Sequence, residues 1–208
     1  MHDSSRSDDS KPSHARLFEL VSEQGGYFTA AQAHACGFSK ALLAHHANSG
    51  RFLRVRQGLY RLREYPSSPR EDVIAAWLAT GKEVAVVSHE SALEILGLSD
   101  VVPEIVHITV PRAMRYRSAS PRVAIHTTTR RLGKSDVVTR DGVRLTAAER
   151  AIIDAAETRT APEQIIAAVD QALDRGMATE AKLLANAKSR GGRVERLVRQ
   201  AIQERSRQ

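Results

Sequence analysis

Leu17, Phe18, Leu20 and Val21 recur at helical spacing between His14 and Gln24, and Gly25-Gly26 stops the pattern. Thr29 with Gln32 three residues on is a capping box, which predicts a second, short, alanine-rich helix. Cys36-Gly37-Phe38 interrupts it, since Gly37 can take the positive φ of a tight interhelical turn. Ser39 is placed to cap a third helix that runs to about Ser49 and stops at Gly50. On that helix Leu43, His46 and Ala47 share one face, while Lys40, Ala44, His45 and Asn48 share the other. Phe52, Val55, Leu59 and Tyr60 then punctuate two short β-prone runs around the turn Arg56-Gln57-Gly58. Helix, glycine-bearing turn, helix and hairpin make up a winged helix-turn-helix, whose second helix is shaped to enter a major groove.

Beyond Tyr65 the pattern changes. Tyr65-Pro-Ser-Ser-Pro69 cannot continue a regular element, and the domain boundary is placed there. A helix with the stripe Val73, Ile74, Trp77 and Leu78 follows, with Trp77 read as core. Val84 to Val87 reads as a buried strand, and Ser88 as the cap of a helix from His89 to Leu96 ended by Gly97. Val106, Ile108 and Val110 alternate with His107 and Thr109 in a half-buried strand, and Val123 to His126 is another. Asp141-Gly142 marks a hairpin between Asp136 and Leu145. Thr146 and Glu149 form a second capping box ahead of a helix with Ile152, Ile153 and Ala156 inside. Pro162 opens a further helix, buried through Ile165, Ile166, Val169 and Leu173, and two more close the chain. The expected fold class is α+β: residues 1–13 a disordered tail, 14–65 a winged helix-turn-helix, and 66–208 a mixed α/β domain with a helical tail.

Charge sharpens this picture. The 208 residues carry 31 Lys and Arg against 24 Asp and Glu, a net charge of +7 that points to an anionic partner. Arg51, Arg54, Arg56, Arg61 and Arg63 line the hairpin, beside a helix whose outward face has no acidic residue. The expected DNA contacts are Ser39, Lys40, Ala44, His45, Asn48, Arg51, Arg54, Arg56 and Arg61, with the solvated basic hairpin as the alternative. From Ile105 to Ser135 there is no acidic residue, yet Arg112, Arg115, Arg117, Arg122, Arg130, Arg131 and Lys134 all fall there. That stretch reads either as solvated loop or as a second phosphate-contacting surface. A single cysteine excludes a disulfide framework, so a reducing, cytoplasmic setting is expected, with Cys36 buried. No apolar run is long enough to span a membrane, and the polar start lacks the apolar core of a signal peptide.

Candidate chemistry adds little. No glycine-rich phosphate loop occurs, and the eight histidines do not fall at metal-ligand spacings. Asp154, Glu157, Asp170 and Asp174 read as solvated helix faces, and no catalytic residue, metal site or cofactor is expected.

Three segments carry a family resemblance: Gly50-Arg-Phe-Leu-Arg-Val-Arg-Gln-Gly-Leu-Tyr-Arg-Leu62, then Ala85 to Leu98 with His107-Ile-Thr-Val-Pro111, and Leu145 to Asp154. Together they resemble the AbiEi-type antitoxins of bacterial type IV toxin–antitoxin systems. The resemblance implies a non-enzymatic repressor whose winged helix binds inverted-repeat operator DNA, with possible self-association on it. It also implies a second domain that neutralises a nucleotidyltransferase-fold toxin, and Arg112, Arg115 and Arg117 are the surface expected to serve that role. Similar regions precede a nuclease module in some relatives; with so little sequence after Ala201 no such module is expected here. The alternative is a winged-helix regulator with no toxin partner.

Overall fold

The computed structural model describes residues 11–115, 122–128 and 132–207. By its contacts the chain forms two units, residues 1–79 and 80–208.

In the first unit, α1 (His14–Ser22) leads through Gly25-Gly26 into β1 (Tyr27–Thr29), α2 (Ala30–Ala35) and α3 (Lys40–Asn48). The hairpin β2 (Phe52–Arg56) and β3 (Leu59–Leu62) follows, and α4 (Glu71–Thr80) begins beyond the prolines. β1, three residues that the capping-box reading passes over, joins the hairpin in a sheet of order β1-β3-β2. Thr29 is both its last residue and the cap of α2. The Thr29 hydroxyl accepts from the Gln32 amide at 3.2 Å, and the Gln32 side chain accepts from the Thr29 amide at 2.8 Å. Gly37 takes the expected positive φ of 86° at the interhelical turn. Leu17, Val21, Phe28, Ala33, Cys36, Phe38, Leu43 and Phe52 form the core, with the Phe28 and Phe52 rings edge to face at 5.1 Å. Phe18 is the exception in α1: at 58 % exposure it points away from that core.

Two details of α4 bear on the boundary. Glu71 accepts hydrogen bonds from Arg61 at 2.9 Å and from the Tyr27 hydroxyl at 3.2 Å, so the start of α4 is tied to the sheet. The expected boundary after Tyr65 therefore lies inside the first compact unit. Trp77 is buried, as its place in the apolar stripe requires.

The second unit is built on a mixed sheet of β4 (Val86–Val87), β5 (Val106–Pro111), β6 (Val123–Thr128), β7 (Val137–Arg140) and β8 (Val143–Thr146), in the order β6-β5-β4-β8-β7. β5 runs parallel to β6 and β4 parallel to β8; the remaining pairs are antiparallel. The β7–β8 hairpin turns on Asp141 and Gly142 with φ of 49° and 75°, the two positive values that favour Asp-Gly in such turns. α5 (His89–Leu96) packs on β5, so β5 is covered on both faces from Ile108 to Val110 where alternation implied one. α6 (Ala148–Glu157) packs on α5, while α7 (Pro162–Asp174) and α8 (Glu180–Lys188) both pack on the terminal α9 (Gly192–Arg205). The architecture is α+β with a helical tail.

The second capping box does not form. Ala147 is the N-cap of α6, and Thr146 is held extended as the last residue of β8, paired with Val137. Its hydroxyl is buried and makes no hydrogen bond to the helix start.

Candidate nucleic-acid interface

α3 presents the face that its sequence dictates. Leu43 and His46 turn into the core, and Ser39, Lys40, Ala44, His45 and Asn48 are exposed. The Ser39 hydroxyl accepts from the Leu42 amide at 3.2 Å, which fixes the first turn and leaves its own hydrogen free for an outside acceptor. Small side chains at Ala41 and Ala44 keep the exposed ridge low, and Lys40 and Asn48 stand at its two ends. From Gln24 to Arg63 the chain has no Asp or Glu, so α2, α3 and the wing themselves carry no charge that opposes a polyanion.

His46 holds the inner face. It packs 4.8 Å from the Phe52 ring and 5.5 Å from His14. Burial, then the neighbouring His14, Arg51 and His45, lowers its pKa from the ordinary value. It is therefore the neutral imidazole that stays inside at neutral pH.

The wing places its arginines unequally. Arg51 and Arg54 are exposed, and Arg56 is half-buried, with burial lowering its basicity. A bulge between Arg54 and Arg56 breaks the alternation of β2, and Val55 is left 45 % exposed beside them. Arg63 folds back, its guanidinium donating to the Gly50 carbonyl.

Arg61 departs from expectation. Strand alternation puts Tyr60 and Leu62 on the core face of β3 and Leu59 and Arg61 on the other. Arg61 is 8 % exposed, donates to the Tyr65 carbonyl at 2.8 Å and to Glu71 at 2.9 Å, and lies 5.8 Å from the Tyr27 ring. A guanidinium spent on these partners does not reach a phosphate; it joins the wing to α4. Glu71 answers it: burial alone would raise its pKa, but the Ser68 amide, Arg61, Ser67 and Tyr27 outweigh that and lower it.

Of the surface expected in the second unit, Arg112 and Arg115 are exposed on a short 3-10 turn after β5, and Arg115 donates to the Arg112 carbonyl at 3.3 Å. Arg117 lies outside the described residues.

The second unit also gathers groups that no local spacing discloses. Asp154, read as a solvated helix position, is buried; Arg150 donates to it at 2.6 and 2.8 Å and Arg190 at 3.2 Å, while Arg190 also bonds Glu157. Burial raises the Asp154 pKa against the pull of those arginines. His89, His107 and His126 converge from α5, β5 and β6. Burial, then His126 and His107, drives the His89 pKa down to about 2, and burial with His107 takes His126 to about 4. Ser88 makes no capping hydrogen bond: its hydroxyl accepts from Thr109 at 2.8 Å and lies 2.8 Å from Nδ1 of His89. His89 itself has a φ of 55°, a backbone state that costs a residue other than glycine of order 1–3 kcal/mol. The one advance signal was the alternation that set His107 and Thr109 on a single strand face.

Residues 15–63, the span of the helices and wing just described, match the family model described as "Transcriptional regulator, AbiEi antitoxin". No curated protein matches the chain in sequence. Among solved structures the fold is similar to that in the crystal structure of RV2827C protein from Mycobacterium tuberculosis, with a TM-score of 0.60 at 13 % identity over 91 % of this chain and 75 % of that one. At that identity the likeness is one of fold. The family likeness that the sequence motifs suggest is thus matched by a family model in the first unit, over residues 15–63.

Proposed function

We propose that the protein is a DNA-binding repressor of the antitoxin type, reading operator DNA with α3 and gripping its backbone with the wing. One observation carries this reading. Within the family-matched segment, an acid-free helix face with Lys40, Ala44, His45 and Asn48 exposed lies next in the chain to a wing with Arg51 and Arg54 exposed. Asn48 and Lys40 have the donors to read base edges, and Ser39, Arg51, Arg54 and Arg56 those to hold phosphates. In this reading residues 14–65 are the DNA-binding domain, Arg61 supports it from behind, and inverted repeats near the protein's own operon are the target, bound by a self-associated form.

The second unit then acts in the cytoplasm against a nucleotidyltransferase-fold toxin, with Arg112, Arg115 and Arg117 on the surface that serves neutralisation. No enzymatic step is assigned to the chain. A regulator without a toxin partner is the second reading, and the confinement of the family match to residues 15–63 favours it. One experiment separates them. The Arg112→Glu/Arg115→Glu/Arg117→Glu variant is assayed for operator binding by gel shift and for growth rescue of cells expressing the neighbouring nucleotidyltransferase. Normal DNA binding with lost rescue supports the antitoxin role of that surface. Full rescue leaves the cluster as solvated surface, and a wild-type chain that rescues nothing leaves a regulator alone.

A further inference from the structure

The three histidines of the second unit come from segments 18 and 19 residues apart, and only the fold unites them. β5 pairs in parallel with β6 so that His107 faces Ala124 and Thr109 faces His126. Side chains two apart on a strand share a face, so His107, Thr109 and His126 stand on the same side of the sheet. His89, at the start of α5, meets them there: its ring stacks on His126 at 3.7 Å and lies 5.5 Å from His107. Nδ1 of His107 and Nε2 of His126 are 2.9 Å apart, and one nitrogen from each of the three rings lies within 4.8 Å of the others.

From this geometry we infer that His89, His107 and His126 form a binding site for a divalent transition-metal ion of the zinc class. Three imidazoles are the ligand set of an open tetrahedral site, whose fourth position belongs to water or an external ligand. Metal–nitrogen bonds of about 2.0–2.1 Å put the ligand nitrogens of a tetrahedral ion roughly 3.3 Å apart. The His107 and His126 rings are 12° apart in plane, with their two facing nitrogens nearly head to head. They need to open by a few tenths of an ångström and tilt so that both lone pairs meet the ion. The larger change falls on His89, whose ring must turn out of its stack on His126, because in-plane lone pairs of near-parallel rings do not meet at one point. The surroundings favour an ion in two ways. Ser88, itself bonded to Thr109, lies 2.8 Å from Nδ1 of His89, so that nitrogen can donate to the hydroxyl while Nε2 ligates. The nearby guanidiniums of Arg150 and Arg190 are both paired with Asp154, and Arg190 with Glu157 as well, which offsets their repulsion of a cation.

The test uses the full, untagged chain loaded with Zn2+ or with Co2+ as a spectroscopic stand-in. We expect about one equivalent of zinc to survive gel filtration, and visible absorption bands of four- or five-coordinate, nitrogen-ligated cobalt. His107→Gln and His126→Gln, each checked for native circular dichroism, should weaken zinc by more than the roughly 10–100-fold typical of losing an outer-shell partner. Ser88→Ala should fall within that range, and His34→Gln with His45→Gln, in the first unit, should change nothing. Wild-type chain that retains no zinc and gives colourless cobalt overturns the proposal whatever the variants do. Zinc binding that survives His107→Gln and His126→Gln together overturns it equally, since the ion then sits elsewhere.

Discussion

Replacing Arg61 by alanine should destabilise the first unit and leave its DNA contacts in place. The side chain is 9 % exposed and Glu71 28 %. Arg61 makes two short charge-assisted hydrogen bonds, to Glu71 and to the Tyr65 carbonyl, and such bonds contribute about 1.5–3 kcal/mol each. Two effects reduce that sum. Glu71 is open enough to rehydrate when its partner leaves, so the loss falls short of the ~3–5 kcal/mol of a fully buried pair. The Nε of Arg61 is buried with no acceptor, and its removal relieves that cost. The expected loss is about 2–3 kcal/mol. At a urea m-value near 1 kcal/mol/M for a unit this small, the midpoint falls by about 2–3 M. Trp77, the single tryptophan, lies in the same unit, and its fluorescence reports the transition. In DNA titrations under native conditions the slope of log K against log salt should match wild type, since no phosphate contact is lost. An unchanged midpoint with the slope reduced by about 0.9 would refute this reasoning and return Arg61 to the DNA backbone.

Further expectations follow from the same structure. Arg54→Ala should show the opposite behaviour: stability within about 0.5 kcal/mol of wild type, affinity lowered on every DNA sequence, and a salt slope reduced by about one unit. Asn48→Ala should cost ~1–3 kcal/mol on the operator and little on random DNA; equal weakening on both would remove it from base reading. A fragment ending at Tyr65 lacks Glu71, so it should unfold at lower urea than one ending at Ala79, and equal midpoints would detach α4 from the winged unit. For His46 the folded pKa is lowered, so the unfolded chain binds more protons below pH ~6.5. Its contribution is intact above that value and is lost as pH falls towards the lower folded value. His46→Leu should flatten this limb of the stability profile, and an unaltered limb would assign the protons elsewhere.

Local signals carried most of the winged unit. Thr29-Gln32, Gly37, Ser39 and Gly50 each set a backbone state within a few residues, and α2, α3 and the wing stand where those signals put them. Asp141-Gly142 did the same for the β7–β8 hairpin. What escaped depended on pairing between distant segments. Composition shows that Arg61 is basic, but only the register of β3 against β1 and the position of Glu71 show which way it points. Thr146 satisfies the capping-box pattern, but α6 starts one residue later than that pattern implies, with Ala147 as its N-cap and Thr146 the last residue of β8. Asp154 sits at a helix position that reads as solvated until Arg190 arrives from the chain after α8 to cover it. The histidines illustrate the limit best. Spacing rules find ligands on one helix or one hairpin, whereas His107 and His126 become neighbours only once β5 and β6 pair in parallel.

In the proposed function α3 and the wing select a DNA sequence. This selection is tested most directly by titrating the full chain onto the DNA upstream of its own gene and onto a scrambled duplex, across a range of salt. Binding to the upstream DNA should be at least ~10³-fold tighter, with affinity on both duplexes falling steeply as salt rises. Equal affinity for the two duplexes, or affinity indifferent to salt, would contradict it.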